Sequence, residues 1–165
     1  MDMSGRIALN APKQRVWEAL NDPDILKACI PGCESLEKTP DDGFVAVAVL
    51  KVGPIKARFQ GKVRLLDIVP PTSYTIAGEG QGGIAGFAAG SAKVALEEID
   101  PQTTELSYYT EARVGGKIAQ LGARLIDSTA KKLAAQFFEQ FGAQVSSAAT
   151  AAERRRYIEQ GNYRG

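Results

Sequence analysis

Residues 55–69 alternate between apolar and charged side chains, and this alternation restricts the fold more than any other feature of the sequence. The odd positions from Ile55 to Leu65 are apolar or small, whereas the even positions between them carry lysine, arginine or glutamine. A two-residue period predicts a β-strand with one dry face and one solvated face. Strands of this kind form antiparallel sheets that meet water on one side.

Other segments share this period and are separated by turn signals. A short strand is predicted at residues 6–9, and longer strands at residues 73–80, 91–99 and 105–114. The turn signals are Asp41-Asp42-Gly43, Gly53-Pro54, Pro70-Pro71 and Asp100-Pro101. Links this short predict a meander and argue against the helical crossovers of a parallel α/β fold.

Two short helices are predicted after the first strand. The first contains Trp17 and Leu20 in an apolar stripe, with Asn10 as its cap and Pro12 in its first turn. The second covers residues 24–28 and ends before Pro31-Gly32.

The longest helical pattern follows Gly115-Gly116 and continues to about residue 149. Its apolar positions recur at three- and four-residue steps and include Ile118, Leu121, Leu125, Leu133, Phe137 and Phe141. A helix of about 30 residues spans about 45 Å, which is enough to cross a sheet. We therefore predict an α+β fold in which a curved antiparallel sheet of about six to seven strands surrounds one long C-terminal helix. Residues 1–147 would form this domain, and residues 148–165 a polar, flexible tail.

Composition argues against several classes of function. Lys+Arg number 20 and Asp+Glu 19, so no excess of charge indicates nucleic acid as a partner. No apolar run reaches the roughly 18 residues of a membrane span, and the N-terminus has no signal pattern, so a cytoplasmic location is expected. The chain has no histidine, which removes Ser-His and Cys-His nucleophile pairs. We predict no catalytic residues and a protein that is not an enzyme.

Cys29 and Cys33 raise the question of a metal site. A structural zinc site needs four ligands, and two cysteines without histidine cannot supply them within one chain. We expect free thiols and no metal ligands here.

Residues 78–90 are rich in glycine and allow three interpretations. Successive backbone N–H groups could form an anion nest, but the segment lacks a GK[ST] ending and does not open a helix. It could instead be a kinked hairpin at the mouth of a cavity, with Ile84 and Phe87 as apolar lips. It could also be a glycine bend that lets the sheet curl. The sequence favours the mouth or the bend over the nest.

A basic stripe follows one face of the predicted sheet, at Lys51, Lys56, Arg58, Lys62 and Arg64. Such a face could meet an anionic membrane or an acidic protein. A solvated face, balanced by acidic residues on neighbouring strands, is the interpretation we favour, because mixed charge across strands is the ordinary arrangement.

Several short motifs occur in a characteristic order. They are Ala11-Pro12, Val16-Trp17, Asn21-Asp22-Pro23, Ile30-Pro31-Gly32-Cys33, Lys51-Val52-Gly53-Pro54-Ile55, Phe59-Gln60-Gly61, Gly78-Glu79-Gly80, Gly90-Ser91-Ala92 and Gly115-Gly116-Lys117-Ile118-Ala119-Gln120-Leu121-Gly122. Together they resemble the G-subunit family of carbon monoxide dehydrogenase over about residues 1–147.

This resemblance implies a START-like, helix-grip fold of the polyketide cyclase/lipid-transport superfamily. It implies a cavity for a hydrophobic ligand, an isoprenoid quinone or lipid, with no covalently bound cofactor. It also implies association with the subunits of a molybdenum hydroxylase of the carbon monoxide dehydrogenase type. The accessory protein would assist recruitment of that enzyme, or electron transfer, to the cytoplasmic membrane, with peripheral membrane contact as a further expectation.

The predicted cavity residues are the inward positions nearest the glycine-rich hairpin and the first half of the long helix. They are Trp17, Phe59, Ile84, Phe87, Ile118, Leu121 and Leu125. Two alternatives stay open. One is a cyclase- or hydrolase-like enzyme acting in the same cavity, with Asp67 or Tyr108 as its acid–base candidate. The other is a protein–protein adaptor with a filled core.

Overall fold

A computed structural model describes the backbone of residues 1–159 and the side chains of residues 1–146. Seven strands form one antiparallel sheet in the order β1-β7-β6-β5-β4-β3-β2. The strands are β1 (Asp2–Leu9), β2 (Cys33–Thr39), β3 (Gly43–Val52), β4 (Ile55–Val69), β5 (Ser73–Gln81), β6 (Phe87–Asp100) and β7 (Thr103–Gly115). The helices are α1 (Lys13–Leu20), α2 (Pro23–Cys29) and α3 (Ala123–Glu159), with 3-10 turns at Gly83–Ala85 and Lys117–Leu121.

The α+β helix-grip prediction is confirmed. β4 has the predicted bounds, and its exposure alternates with a period of two as far as Leu65. β5, β6 and β7 contain the predicted segments and are longer at their ends. β1 pairs with β7, with Ile7 opposite Leu106, so the first strand closes one side of the sheet beside the last.

The starts of the two short helices differ in their capping. Asp22 caps α2, and its Oδ1 accepts hydrogen bonds from the backbone N–H groups of Asp24 (2.9 Å) and Ile25 (3.4 Å). The predicted cap of α1 by Asn10 is wrong. Pro12 occupies the cap position in an extended conformation, and no side chain caps this helix.

The long helix begins later than predicted. Lys117–Leu121 forms a separate 3-10 turn, and Gly122 at φ +93° interrupts the chain before α3 starts at Ala123. α3 has 37 residues and therefore a length of about 55 Å. The predicted boundary at residues 147/148 falls within this helix. The predicted tail lies outside the residues whose side chains are described, so its polar, flexible character stays a prediction.

The tightest packing joins α1, α3 and the strands at one end of the sheet, which we call the helical end. Leu9, Val16, Leu106 and Phe141 are almost completely buried there. Thr104 is buried among them, and its Oγ1 donates a hydrogen bond of 2.8 Å to the Ala11 carbonyl. Between the middle of the sheet and α3 the side chains leave space. No helix in the described part of the chain is both long and apolar enough to cross a membrane.

Candidate functional site

A pocket of about 390 Å³ lies between the concave face of the sheet and α3. Its walls come from five parts of the chain: the strands, the end of α1, α2, the residue after α2, and the middle of α3. Twenty of the residues with described side chains line it: Met3, Leu20, Leu26, Ile30, Leu36, Phe44, Ala46, Gly61, Val63, Leu65, Tyr74, Ile76, Ala92, Val94, Leu106, Tyr108, Thr110, Ala134, Phe137 and Phe138. The size lies within the range of small-molecule sites.

Small residues on the strands create this space. Ala46, Gly61 and Ala92 line the pocket where larger side chains would reach toward α3. A Cβ atom built on Gly61 would come no closer than 3.8 Å to any other group. A second hollow of about 350 Å³ shares Val63 and Ile76 with the pocket and continues over residues 78–80 and 88–92. The concave face therefore forms a trough floored by glycine and alanine.

Aromatic rings form the rigid walls. Phe138 of α3 stacks on Tyr108, with ring centroids 5.2 Å apart, and meets Phe137 edge-on at 5.1 Å. Tyr74 meets Trp17 of α1 edge-on at 5.5 Å. Such contacts contribute about 0.5–1.5 kcal/mol each beyond area burial, so these rings hold the pocket's shape.

The pocket is almost entirely apolar. Seventeen of its twenty lining residues have apolar side chains or are glycine, and the polar ones are Tyr74, Tyr108 and Thr110. Burial raises the pKa of the Tyr74 phenol well above its usual range, so this group stays protonated at physiological pH. None of the described lining residues carries a carboxylate, amine or thiol. It can therefore bind by apolar burial and accept or donate a few hydrogen bonds.

The seven residues predicted to line a cavity lie at the two ends of this pocket, and none is in its lining. Trp17 sits behind Tyr74 at the helical end. The other six lie at the opposite end of the sheet. We call this the loop end, because the β3–β4 hairpin, the β5–β6 turn and the link from β7 to α3 meet there. These positions as ligand contacts stay a prediction.

At the loop end the predicted residues seal the fold. A Cβ on Gly82 would lie 2.5 Å from the Phe59 ring, and a Cβ on Gly53 would lie 2.6 Å from Leu125 and 3.8 Å from Leu121. Ile118 is buried in the 3-10 turn that precedes α3. These side chains are thus occupied by close packing against the loops.

Ile84 and Phe87 differ from the rest of this group. Ile84 is 91% exposed at the tip of the β5–β6 turn. Phe87 is at an odd-numbered position of β6, and the odd positions of this strand face the convex side of the sheet. Its side chain is 37% exposed and packs beside Gly115. Ile84 is therefore an exposed apolar tip beyond the pocket.

The glycine-rich segment contains a sharp bend. Gly78 and Gly90 stand opposite each other in register, and a Cβ on either would clash with a backbone carbonyl of the next strand. In the turn itself, the N–H groups of Gly82, Ala85 and Gly86 are all used in local hydrogen bonds. This geometry supports the glycine bend and argues against an anion nest.

The basic stripe is balanced along most of its length. Arg58 forms an ion pair of 3.1 Å with Glu34, and Lys62 stands opposite Glu79. At the tip of the β3–β4 hairpin, however, Lys51 stands opposite Lys56. The solvated interpretation therefore fits the middle of β4, and a local excess of positive charge remains at the loop end.

The remaining candidates lie outside the pocket or lack partners for chemistry. Asp67 is exposed at φ +52° and borders a groove on the convex face. Tyr108 lines the pocket without a described acidic or basic partner. Cys29 and Cys33 are free, and burial raises the pKa of both thiols. No cluster of three or more potential metal-ligating side chains occurs among the described residues.

A curved seven-stranded antiparallel sheet that holds one long helix over an apolar pocket defines the START-like, helix-grip class of proteins. Solved structures share this fold. A START superfamily protein from Mycobacterium smegmatis has a TM-score of 0.67 and 9% identity, covering 89% of this chain and 98% of its own. The Zhui aromatase/cyclase from Streptomyces sp. R1128 has a TM-score of 0.65 and 13% identity, covering 88% and 93%.

The amino-acid sequence identifies one family within this class. The sequence profile of CoxG, the G-subunit of carbon monoxide dehydrogenase, matches residues 5–146. This chain belongs to the CoxG family. A conserved protein from Geobacillus kaustophilus is 32% identical, with a TM-score of 0.84, covering 90% of this chain and 97% of its own. The search of curated proteins found no match.

Proposed function

We propose that this chain is a non-catalytic accessory protein of a carbon monoxide dehydrogenase-type molybdenum hydroxylase and carries a hydrophobic ligand, an isoprenoid quinone or lipid, in the pocket beneath α3. The observation that carries the proposal is the apolar pocket of about 390 Å³. Membership of the CoxG family, whose description makes it part of carbon monoxide dehydrogenase, supports the accessory role.

The pocket suits a ligand held by apolar contacts. Each 100 Å² of apolar ligand surface removed from water contributes about 2.5 kcal/mol before the costs of association. The adjoining trough of small residues offers room for an extended chain to continue toward the loop end. An isoprenoid tail fits this description because it is apolar, long and flexible.

The same lining argues against the cyclase alternative. General acid–base catalysis needs a group that accepts a proton within hydrogen-bond reach of the substrate. The described lining residues offer two phenols and one hydroxyl, and none of them has a carboxylate or an amine. An adaptor with a filled core is also less well supported, because the space beneath α3 is open.

Delivery of a ligand to a membrane would involve the loop end. The exposed Ile84 side chain lies at this end, together with the exposed Lys51 and Lys56 pair and the exposed Lys117. Each lysine near an anionic surface contributes about 1 kcal/mol, so these residues support weak, reversible contact. Sedimentation with phosphatidylglycerol vesicles should fall when Ile84 is replaced by serine. Equal sedimentation with phosphatidylcholine vesicles would contradict this arrangement.

Native mass spectrometry with organic extraction tests the carrier role directly. The protein should carry a stoichiometric lipid or quinone, or take up added menaquinone or ubiquinone. Gly61→Leu should lose this adduct because the new side chain enters the pocket, whereas Gln60→Leu, on the convex face, should retain it. A protein that stays empty with both quinones refutes the proposal.

The accessory role needs a separate assay. Quinone reduction by a carbon monoxide dehydrogenase-type hydroxylase should be faster with the loaded protein than with quinone alone. The Gly61→Leu variant should give no acceleration. An equal rate with either variant would show that ligand carriage is not coupled to that enzyme.

A further inference from the structure

Tyr74 is the most buried of the three polar residues in the described lining. Tyr74 is 5% exposed, and no described residue forms a hydrogen bond with its hydroxyl. Its ring is fixed by the edge contact with Trp17. A ligand that fills the pocket and excludes water would leave this hydroxyl without a hydrogen bond at a cost of about 1–3 kcal/mol, unless the ligand itself supplies an acceptor.

Tyr108 is placed differently, although it lines the same pocket. Its ring is covered by Phe138, and its hydroxyl lies close to Gly5 of the edge strand β1, where a Cβ would stand 2.7 Å from the oxygen. Tyr108 is half-buried. Because its hydroxyl can reach water near this edge, it depends less on a ligand than Tyr74 does.

The lining also restricts the charge of a ligand. No lysine, arginine or histidine is among the twenty residues. A carboxylate or phosphate held there would lose its hydration without gaining a counter-charge, which costs several kcal/mol. An uncharged oxygen, such as a carbonyl, loses much less and can accept a hydrogen bond.

We propose that Tyr74 donates a hydrogen bond to a carbonyl oxygen at the buried end of an uncharged ligand, and that the pocket thereby selects neutral carbonyl compounds over both hydrocarbons and carboxylates. This inference rests on the proposed ligand-carrying function. A phenol is protonated at physiological pH, and burial raises the pKa of Tyr74 further, so its hydroxyl is available as a donor.

The test compares two probes that share one ring system. 2-Methyl-1,4-naphthoquinone has two carbonyl groups, and 2-methylnaphthalene has none. Affinities are measured by displacement of the neutral fluorescent probe N-phenyl-1-naphthylamine. Tyr74→Phe should weaken quinone binding about 3- to 10-fold, as the loss of one hydrogen bond predicts, and should leave 2-methylnaphthalene binding within about 2-fold. Tyr109→Phe, at a position outside the lining where the side chain is 43% exposed, is the control and should change neither affinity by more than about 2-fold.

The possible outcomes distinguish the hydrogen-bond assignment from the carrier function. Equal weakening of both probes by Tyr74→Phe would show a packing role and overturn the donor assignment. Unchanged quinone binding in Tyr74→Phe would overturn it as well while leaving the carrier function intact. Failure of both probes to bind the wild-type protein would instead count against the proposed function itself.

The selection for uncharged ligands is tested separately. Methyl 2-naphthoate and 2-naphthoate differ in charge at the same position. The ester should bind at least about 30-fold more tightly than the carboxylate, because the carboxylate has no counter-charge in the lining. Equal affinities would overturn the selection for neutral ligands.

Discussion

Replacing Gly61 with leucine should block the pocket and stabilise the protein at the same time. Gly61 does not have a positive φ, and a Cβ at this position meets only backbone oxygens at 3.8 and 3.9 Å. The larger side chain can therefore enter the pocket without moving the strand. Most substitutions that abolish binding also weaken the fold, so this combination is a specific signature of an empty space beneath α3.

The expected magnitudes follow from the size of the added side chain. Leucine displaces about four ligand carbons, worth about 0.8 kcal/mol each, so affinity for an apolar ligand should fall about 100-fold. Removing a strand glycine and burying the new side chain should stabilise the ligand-free protein by about 2 kcal/mol. For a chain of this length, that corresponds to a rise in Tm of about 4–8 °C.

The assay combines thermal unfolding with titration of N-phenyl-1-naphthylamine. Gln60→Leu introduces the same side chain one position earlier on the exposed convex face and should leave probe affinity unchanged. If Gly61→Leu lowers Tm and still binds the probe like the wild type, the pocket described between β4 and α3 is not the binding site. A lower Tm together with lost binding would show that the strand cannot accept a side chain here.

Three further changes test other parts of the fold. Phe141→Ala should lower the free energy of unfolding, measured with urea, by about 3–5 kcal/mol because this ring is completely buried; a loss below about 1 kcal/mol would contradict that packing. Gly116→Ala should lower the free energy of unfolding more than Gly83→Ala does. Both glycines have a positive φ, which costs an alanine about 1–2 kcal/mol, but only at Gly116 would the new Cβ meet backbone, 2.5 Å from the Gly86 Cα. Equal losses of stability in the two variants would refute this contact. The folded-state pKa of Tyr74 is raised above its unfolded value, so the stability linked to its protonation is complete below about pH 10 and is lost as pH rises further. Tyr74→Phe should show a smaller loss of stability between about pH 9 and pH 11, and identical losses would contradict the burial of the phenol.

The sheet was predictable because its strands obey local rules. The alternation in residues 55–69 identified β4 with its correct bounds, and turn signals separated β5, β6 and β7. The presence of the long helix could be predicted, but its first residue could not. Gly122, at φ +93°, separates the 3-10 turn from α3. The spacing of hydrophobic residues does not reveal such a break in the backbone.

The position of the pocket was harder to predict, because it depends on where small side chains leave space. Among the large apolar residues chosen from the sequence, Phe59 and Leu125 pack against the loops, and Ile84 is exposed. The pocket instead lies opposite Ala46, Gly61 and Ala92. The useful signal was the recurrence of alanine and glycine at inward positions of adjacent strands. Starting α3 at Ala123 then brings Ala134, Phe137 and Phe138 over that floor, instead of Ile118, Leu121 and Leu125.

In the described part of the chain, the open sheet has two edge strands, β1 and β2, each with one side that pairs with no other strand. Such edges can recruit strands from other molecules and begin aggregation. Here they carry exposed charges, Asp2 and Arg6 on β1 and Glu34, Glu37 and Lys38 on β2, and the pairing of β2 is irregular between Cys33 and Ser35. Edge-to-edge association would desolvate these charges, so they oppose the pairing of either edge with a strand of another molecule.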